Sequence, residues 1–194
     1  MKNIFYSIKS SLLTIFGDIR VFPFPMFVVY APKSFKVKGY HTREIMELLQ
    51  PGDVLMRSYD SYLDGLFIPK GLSGCSHTGI HIGNGVVIHA IAEGITEDDV
   101  IDFCRCDRIA VMRPRTGVGF AVRHALRCLG KKIKYDFDFS DGNSTYYCHE
   151  FTASCFPTLD IQKISRKAFG FISSPKVYLA DSFFCSNDFS VIYK

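Results

Sequence analysis

Residues 75–91 read CSHTGIHIGNGVVIHAI, in which two apolar segments flank the turn sequence GNG. Short runs rich in isoleucine and valine on either side of glycine and asparagine are typical of a β-hairpin. We expect one strand over Thr78–Ile82 and a second over Val86–Ile91. This hairpin organises the interpretation of the whole chain, because it carries histidines on both strands.

The loop sets the register of the two strands, and the register decides which side chains share a face. A three-residue loop with glycine in the left-handed conformation pairs Ile82 with Val86 and Gly79 with His89. His77 then lies diagonal to His89 on the same face, at about 7 Å between Cα atoms. A slip of one residue would mix polar and apolar faces, so burial and a histidine pair favour the same register. The apolar face collects Thr78, Ile80, Ile82, Val86 and Ile88.

A second informative segment, YYCHEF at 146–151, places Cys148 in the expected first turn of a helix within 144–156. Apolar and small residues recur after it at helical spacing and predict a stripe that packs on the sheet. Ser144 or Thr145 is the expected N-cap. The helix start offers free N–H groups, which we expect to lower the pKa of the Cys148 thiol and to stabilise an oxyanion.

Cys148, His77 and His89 together supply a nucleophile, a base and a group that orients the base. These are the three parts of a cysteine hydrolase or acyltransferase. Taken alone, a cysteine buried on a helix is more often inert packing, so the interpretation depends on whether the three residues meet. His81 is expected to be a neighbour of the pair rather than a participant, and His149 to point towards solvent.

The remaining sequence predicts short helices and strands around this hairpin. Helices are expected over Thr42–Gln50, with Thr42 as N-cap, and over Gly119–Leu129, with Gly130 just after its end. This order of elements predicts an α+β domain with a small antiparallel sheet packed against helices. The further strands are expected over Asp53–Arg57, Arg108–Arg113 and Phe189–Tyr193.

The chain of 194 residues is long enough for one domain with a full core, and we assign residues 1–194 to a single domain. Its N-terminal apolar runs are interrupted by Lys9, Asp18 and Pro23, so neither a spanning helix nor a signal peptide is predicted. Residues 1–40 are expected to form a helix and an extended arm that pack on the core. Membrane contact of this arm is the less favoured alternative.

Charge and cysteine content argue against a nucleic-acid partner and a metal site, and they indicate the redox compartment. The formal net charge is +4, and no stretch mixes basic and aromatic residues densely, so no nucleic-acid partner is expected. Seven scattered cysteines, an odd number, favour free thiols in a reducing compartment such as the cytoplasm. Cys104 and Cys106, with Cys75 and His77, lack a second ligand pair at zinc-finger spacing, so no metal site is expected.

Four sequence blocks resemble a known family when they are taken in order. They are PGDVL at 51–55, SHTGIHIGNG at 76–85, YD at 135–136 and YCHEF at 147–151. With histidine before cysteine, they are similar to the permuted NlpC-like papain-fold cysteine hydrolases, and within these to the bacterial YiiX/YaeF branch, a cysteine peptidase family. The ordered combination is specific, although each block alone is weak.

The resemblance implies a circularly permuted papain-like domain with Cys148 as nucleophile and His77 as its base. Many relatives carry a glutamate before alanine on the second strand, where this chain has His89 before Ala90. The histidine version resembles the lecithin retinol acyltransferase group, whose two histidines have the same separation. Glu93 stays open as the third residue in place of His89. The resemblance implies no metal or organic cofactor.

These residues predict a cysteine hydrolase that cleaves an amide or peptide-like bond through an acyl-enzyme at Cys148. Its expected partner is a peptide-, amide- or lipid-type acyl substrate. A lipid acyltransferase or thioesterase with the same residues is the first alternative, favoured by the apolar arm Val21–Tyr30 and the long connection Tyr59–Gly74. A binding protein that kept the fold without activity is the second, and the intact Cys–His–His set speaks against it.

Overall fold

A six-stranded antiparallel sheet organises the part of the chain that the computed structural model describes, namely residues 6–9, 11–12, 19–23, 26–30, 35–60, 71–139, 145–168 and 172–194. Two separate hairpins accompany it: β1 (Ile19–Pro23) with β2 (Met26–Tyr30), and β8 (Ile164–Ala168) with β9 (Ile172–Val177). In spatial order, the large sheet contains β10 (Phe189–Tyr193), β7 (Arg108–Pro114), β3 (Val54–Ser58), β4 (His77–Gly83), β5 (Val86–Ile91) and β6 (Gly94–Asp99).

Helices cover both faces of this sheet, so the prediction of an α+β fold with an antiparallel sheet packed against helices is confirmed. Residues 6–9 and 11–12 are also helical. The helices that follow in the chain are α1 (Gly39–Leu48), α2 (Val100–Phe103), α3 (Val118–Gly130), α4 (Cys148–Ser154) and α5 (Ala180–Phe184).

The sheet separates two layers of core. On one face, Ile80 and Ile88 pack with Phe151 of α4, as the alternation of the hairpin predicts. On the other face, Val87 packs with Phe103 of α2. Full burial of each such side chain contributes about 1.5–3 kcal/mol to stability. The two layers therefore hold α4 on one face of the hairpin and α2 on the opposite face.

The β4–β5 hairpin has the predicted histidine register with a different turn. Gly79 pairs with His89, as expected, whereas Val86 pairs with Gly83 and not with Ile82. The turn contains only Asn84 and Gly85, both at positive φ, which is the backbone twist that suits a two-residue hairpin. A bulge between His81 and Gly83 accommodates the extra residue, Ile82. The predicted pairing is therefore restored from His81 with Val87 to Gly79 with His89.

Strand β6 was not expected from the sequence. Its residues, GITEDD, are mostly polar towards the end, and they lack the apolar alternation that marks the other strands. In the structure β6 pairs with β5 along its whole length, from Ile91 with Gly94 to Val86 with Asp99. The hairpin therefore provides the first two strands of a three-stranded meander.

Three predicted helix ends are wrong. Helix α1 begins after Lys38 rather than at Thr42, and the Lys38 N–H donates to His41 Nδ1 at 3.0 Å. Helix α3 runs through Gly130, because Lys131 keeps a right-handed conformation after it. Helix α4 has Tyr147 as its N-cap with no side-chain cap hydrogen bond, so Thr145 does not cap it, and Ser144 lies outside the described residues.

The N-terminal segment differs from the extended arm that we expected, because residues 19–23 and 26–30 form the paired strands β1 and β2. The Tyr6 hydroxyl donates to the carbonyl of Ala92 and accepts from the N–H of Tyr135, both at 3.1 Å, which ties the N-terminal helical residues to the sheet. Residues 61–70, the middle of the predicted connection Tyr59–Gly74, lie outside the described residues.

Gly79→Ala is expected to destabilise the protein, because the new Cβ would lie 2.7 Å from Val87 Cγ1 and 3.1 Å from both His89 Cβ and Phe103 Cε2. Overpacking of this kind costs about 1–3 kcal/mol. The matched control is Gly130→Ala in α3, where no atom lies within 4 Å. Urea unfolding should show a lower midpoint for Gly79→Ala and an equal or higher one for Gly130→Ala. Equal stability of Gly79→Ala and the unsubstituted protein would contradict the close packing of the hairpin.

Candidate active site

Two histidines meet on the hairpin at the point where its strands stop pairing. His77 begins β4 and His89 lies on β5, and Gly79 opposite His89 has no side chain to separate them. His77 Nε2 lies 2.8 Å from His89 Nδ1, with the rings 5.1 Å apart and nearly perpendicular. The structure therefore joins these two predicted residues by a hydrogen bond.

Phe103 and Arg57 enclose the histidine pair. The Phe103 ring contacts both imidazoles, with centroids 5.9 Å from His77 and 5.4 Å from His89. The Arg57 guanidinium lies 4.3 Å from the centre of the Phe103 ring and donates to the Phe103 carbonyl at 3.3 Å. A buried cation thus sits next to the pair.

These surroundings keep both imidazoles neutral. Burial lowers the pKa of His77 well below its usual 6.5, and the charges of Arg57, His89 and His149 lower it further. Burial also lowers the pKa of His89, against the opposing effect of Asp98. At neutral pH, His77 therefore carries no positive charge.

Asp98 on β6 is the carboxylate beside His89, and sequence reasoning missed it together with its strand. His89 Nε2 lies 3.1 Å from Asp98 Oδ2, although the N–H is not well aligned with that oxygen. The contact with His89 lowers the pKa of Asp98. Glu93, the alternative third residue, is exposed in the turn between β5 and β6 and contributes the weakest of the charges acting on His89.

Cys148 is the first residue of α4, as predicted, and it is only 2 % exposed. Backbone N–H groups of Thr78, His149 and Cys148 itself, together with the Tyr135 hydroxyl, act to lower its pKa. Burial outweighs all of them and raises the pKa of Cys148 to about 11. The expectation of a lowered thiol pKa is wrong for the resting site, because it counted the helix end and left out desolvation.

The Cys148 sulfur contacts the sheet at the point where the pairing of β4 with β5 ends. Their pairing ends at Gly79 and His89, so the Thr78 N–H has no partner on β5 and points to the Cys148 sulfur. Helix α4 packs on the face of Thr78, whereas the His77 ring lies on the opposite face against Phe103. Among the residues that the structure describes, no hydrogen bond joins the Cys148 sulfur to the His77 ring.

A buried cluster of polar side chains fixes the start of α4 on β4. Thr78 Oγ1 lies 3.1 Å from His149 Nδ1 and 3.0 Å from Thr152 Oγ1, and Thr152 Oγ1 donates to the Cys148 carbonyl at 3.0 Å. The side chain of His149 is therefore buried and not at the solvent-facing rim that we expected. These contacts hold Cys148 against the strand that begins with His77.

Tyr135 is a second site residue that the sequence did not single out. Its hydroxyl contacts the Cys148 sulfur, and burial raises the pKa of Tyr135 well above its usual 10. Its backbone is held by a single parallel bridge to Tyr146, close to the start of α4. Only its place in the YD block, which carried the resemblance, drew attention to it.

His81 and the remaining cysteines do not join the site. His81 Nδ1 lies 2.9 Å from the Gln50 carbonyl, in keeping with a neighbouring role. All seven cysteines are free thiols, and burial raises the pKa of Cys104 to about 11. Within the described ranges, no three His, Cys, Asp or Glu side chains are arranged to hold a metal ion.

A cysteine at a helix start, set against a strand that begins with a hydrogen-bonded histidine, defines the papain-like class of thiol hydrolases. The model of a family described as permuted papain-like amidase enzymes, YaeF/YiiX, C92 family, matches residues 48–193. The chain belongs to this family, which places it among the cysteine hydrolases and confirms the permuted papain-like fold.

Comparison with solved structures agrees on the fold. The crystal structure of YiiX from Escherichia coli O157:H7, described there as a metalloprotein (DUF1105), matches with a TM-score of 0.59 and 17% identity. The match covers 76% of this chain and 98% of that one. No curated protein matches the chain in sequence. In the described part of the chain, none of the helices is long and apolar enough to span a membrane.

His149→Asn is expected to make the protein less sensitive to mild acid. Burial holds the pKa of His149 at about 4, below its usual 6.5, so the unfolded chain binds a proton first as the pH falls through this window. Stability is therefore lost between about pH 6.5 and pH 4, by on the order of 3 kcal/mol for this group. Asparagine keeps an acceptor for Thr78 but does not titrate. Urea unfolding from pH 7 to pH 4.5 measures the difference, and equal pH dependence in both proteins would contradict it.

Proposed function

We propose that the protein hydrolyses an amide or peptide-like acyl bond through a thioester at Cys148, with His77 as general base and His89 as the residue that orients it. The hydrogen bond of 2.8 Å between His77 Nε2 and His89 Nδ1 carries the proposal. It engages one nitrogen of His77 and leaves Nδ1 for a thiol proton. The description of the family as amidases favours an amide bond over a lipid ester.

The first half-reaction transfers the acyl group to sulfur. The Cys148 proton moves to His77 Nδ1 as the sulfur attacks the carbonyl carbon, and the amine then leaves with that proton. Because burial raises the pKa of Cys148 and lowers that of His77, the resting pair is neutral and the proton moves during attack. The sulfur and the ring must approach when substrate binds, as catalytic contacts often do.

The second half-reaction releases the acid. His77 takes a proton from water, the resulting hydroxide attacks the thioester carbonyl, and the thiolate leaves to recover the proton. In both halves, negative charge develops on the carbonyl oxygen beside the sulfur. The N–H groups at the start of α4 and the Tyr135 hydroxyl surround the sulfur, and they are placed to stabilise that charge.

Cys148→Ala is expected to abolish turnover of small peptide amides, by at least about 1,000-fold, because the nucleophile is removed. The control is Cys185→Ala, which removes an exposed thiol and should leave the activity unchanged. Intact-mass spectrometry of the quenched reaction should show an acyl adduct on Cys148. The panel includes short-chain thioesters and lipid esters, and turnover confined to those would assign the alternative lipid acyltransferase or thioesterase function. Equal turnover by both variants would contradict any role of Cys148.

The pH dependence of turnover and of alkylation is expected to show that Cys148 and His77 are both uncharged in the absence of substrate. Protonated His77 cannot act as a base, and its pKa is lowered, so the acid limb of kcat/KM should lie below pH 6.5. In the absence of substrate, alkylation of Cys148 by iodoacetamide should have its midpoint near pH 11. Peptide mapping separates Cys148 from the exposed Cys185, which should react first. A Cys148 midpoint below about 8.5 would instead show a thiolate activated in advance.

A further inference from the structure

We propose that Asp98 is a positioning residue of this site, which acts through His89 and fixes the protonated nitrogen of both histidines. The inference rests on the proposed function, and it adds a fourth residue, from a strand that the sequence did not predict. Asp98 touches no substrate in this proposal. Its effect reaches Cys148 only through the two imidazoles.

The meander places Asp98 beside His89. In the β5–β6 ladder, His89 faces Thr96 and Val87 faces Asp98, so Asp98 lies diagonal to His89 on the same face. The His89 side chain is 1 % exposed and that of Asp98 33 %, with 3.1 Å between His89 Nε2 and Asp98 Oδ2. The imidazole is thus fully enclosed, and its outer nitrogen faces a carboxylate.

The direction of the hydrogen bonds follows from the chemistry of these groups. An ionised carboxylate only accepts, so the nitrogen that faces it, His89 Nε2, carries the hydrogen. His89 Nδ1 is then an acceptor, and His77 Nε2 must be the donor across the 2.8 Å contact. The lone pair of His77 is left on Nδ1, the nitrogen that the proposed reaction needs as a base.

The opposite arrangement would disable the base. If His89 carried its hydrogen on Nδ1, His77 would have to accept at Nε2 and would carry its own hydrogen on Nδ1. That tautomer cannot take the thiol proton. No other carboxylate contacts His89 in the described part of the chain, and the neighbouring cation Arg57 lies 3.9 Å from the same oxygen of Asp98. Asp98 therefore selects the useful tautomer.

The charge of Asp98 has a second effect on the pair. The charged and titratable groups that act on the two histidines are Arg57, Glu93, Asp98 and His149. Arg57 disfavours a protonated His89, whereas Asp98 favours it, through its contact with Nε2 and its charge. Asp98 thereby offsets part of the repulsion between Arg57 and a positive charge on His89, and it acts on His77 only through the hydrogen bond between the two imidazoles.

The test compares Asp98→Ala with Glu97→Ala, which removes the same charge from the neighbouring residue of β6 on the opposite, exposed face. Proton–nitrogen correlation spectra of protein with 15N-labelled histidine report which ring nitrogen of His89 is protonated, without any substrate. We expect Nε2–H in the unsubstituted protein and in Glu97→Ala, and a mixture with Nδ1–H in Asp98→Ala. Peptide-amide turnover should fall in kcat by on the order of tenfold in Asp98→Ala, with KM unchanged.

Two further variants keep the test decisive. Asp98→Asn retains an oxygen acceptor and loses the charge, so it should keep the Nε2–H tautomer while the acid limb of kcat/KM moves to lower pH. In a His89→Asn background, Asp98→Ala should cause no further loss, because Asp98 acts through His89. An unchanged His89 tautomer in Asp98→Ala, or the same loss with and without His89, overturns the proposal. Absence of any amide turnover would overturn the proposed function alone, because the His89 tautomer is measured without substrate.

Discussion

The close pairing of Gly79 with His89 is the constraint on which this site depends. Without a side chain at Gly79, the Phe103 ring closes over both imidazoles and His77 reaches His89. The same pair is the last rung between β4 and β5, so the next N–H along, that of Thr78, is available to the Cys148 sulfur. A single register thus brings the two histidines together and leaves the Thr78 N–H to the Cys148 sulfur.

Desolvation, rather than the helix end, sets the resting protonation of the site. Short helix α4 offers N–H groups to the sulfur, but a nearly fully buried thiolate would lose more hydration than those groups return. Arg57 and burial likewise hold His77 neutral. In the proposed reaction, the same donors would act on the oxyanion, where charge develops only as the sulfur attacks.

The sequence correctly predicted the features that depend on local patterns of apolar and turn-forming residues. Apolar alternation around Asn84 and Gly85 placed Gly79 opposite His89, and helical spacing placed Cys148 at the start of α4. The pattern could not show Asp98, because β6 owes its place to pairing with β5 and not to an apolar stripe of its own. It also missed the burial of His149, which depends on how α4 packs against Thr78, a contact between residues far apart in the chain.

The residues of the site differ in their separation along the sequence. His77, His89 and Asp98 all fall within one meander of consecutive strands, β4 to β6, whereas Cys148 arrives on α4 after β7 and α3. Contacts that are local in sequence form with little loop-closure entropy, and distant ones cost more. The grouping of His77, His89 and Asp98 therefore depends on contacts that are local in sequence, whereas the position of Cys148 depends on distant ones. Partial opening that releases α4 alone would separate Cys148 from the histidine pair while the sheet stays intact.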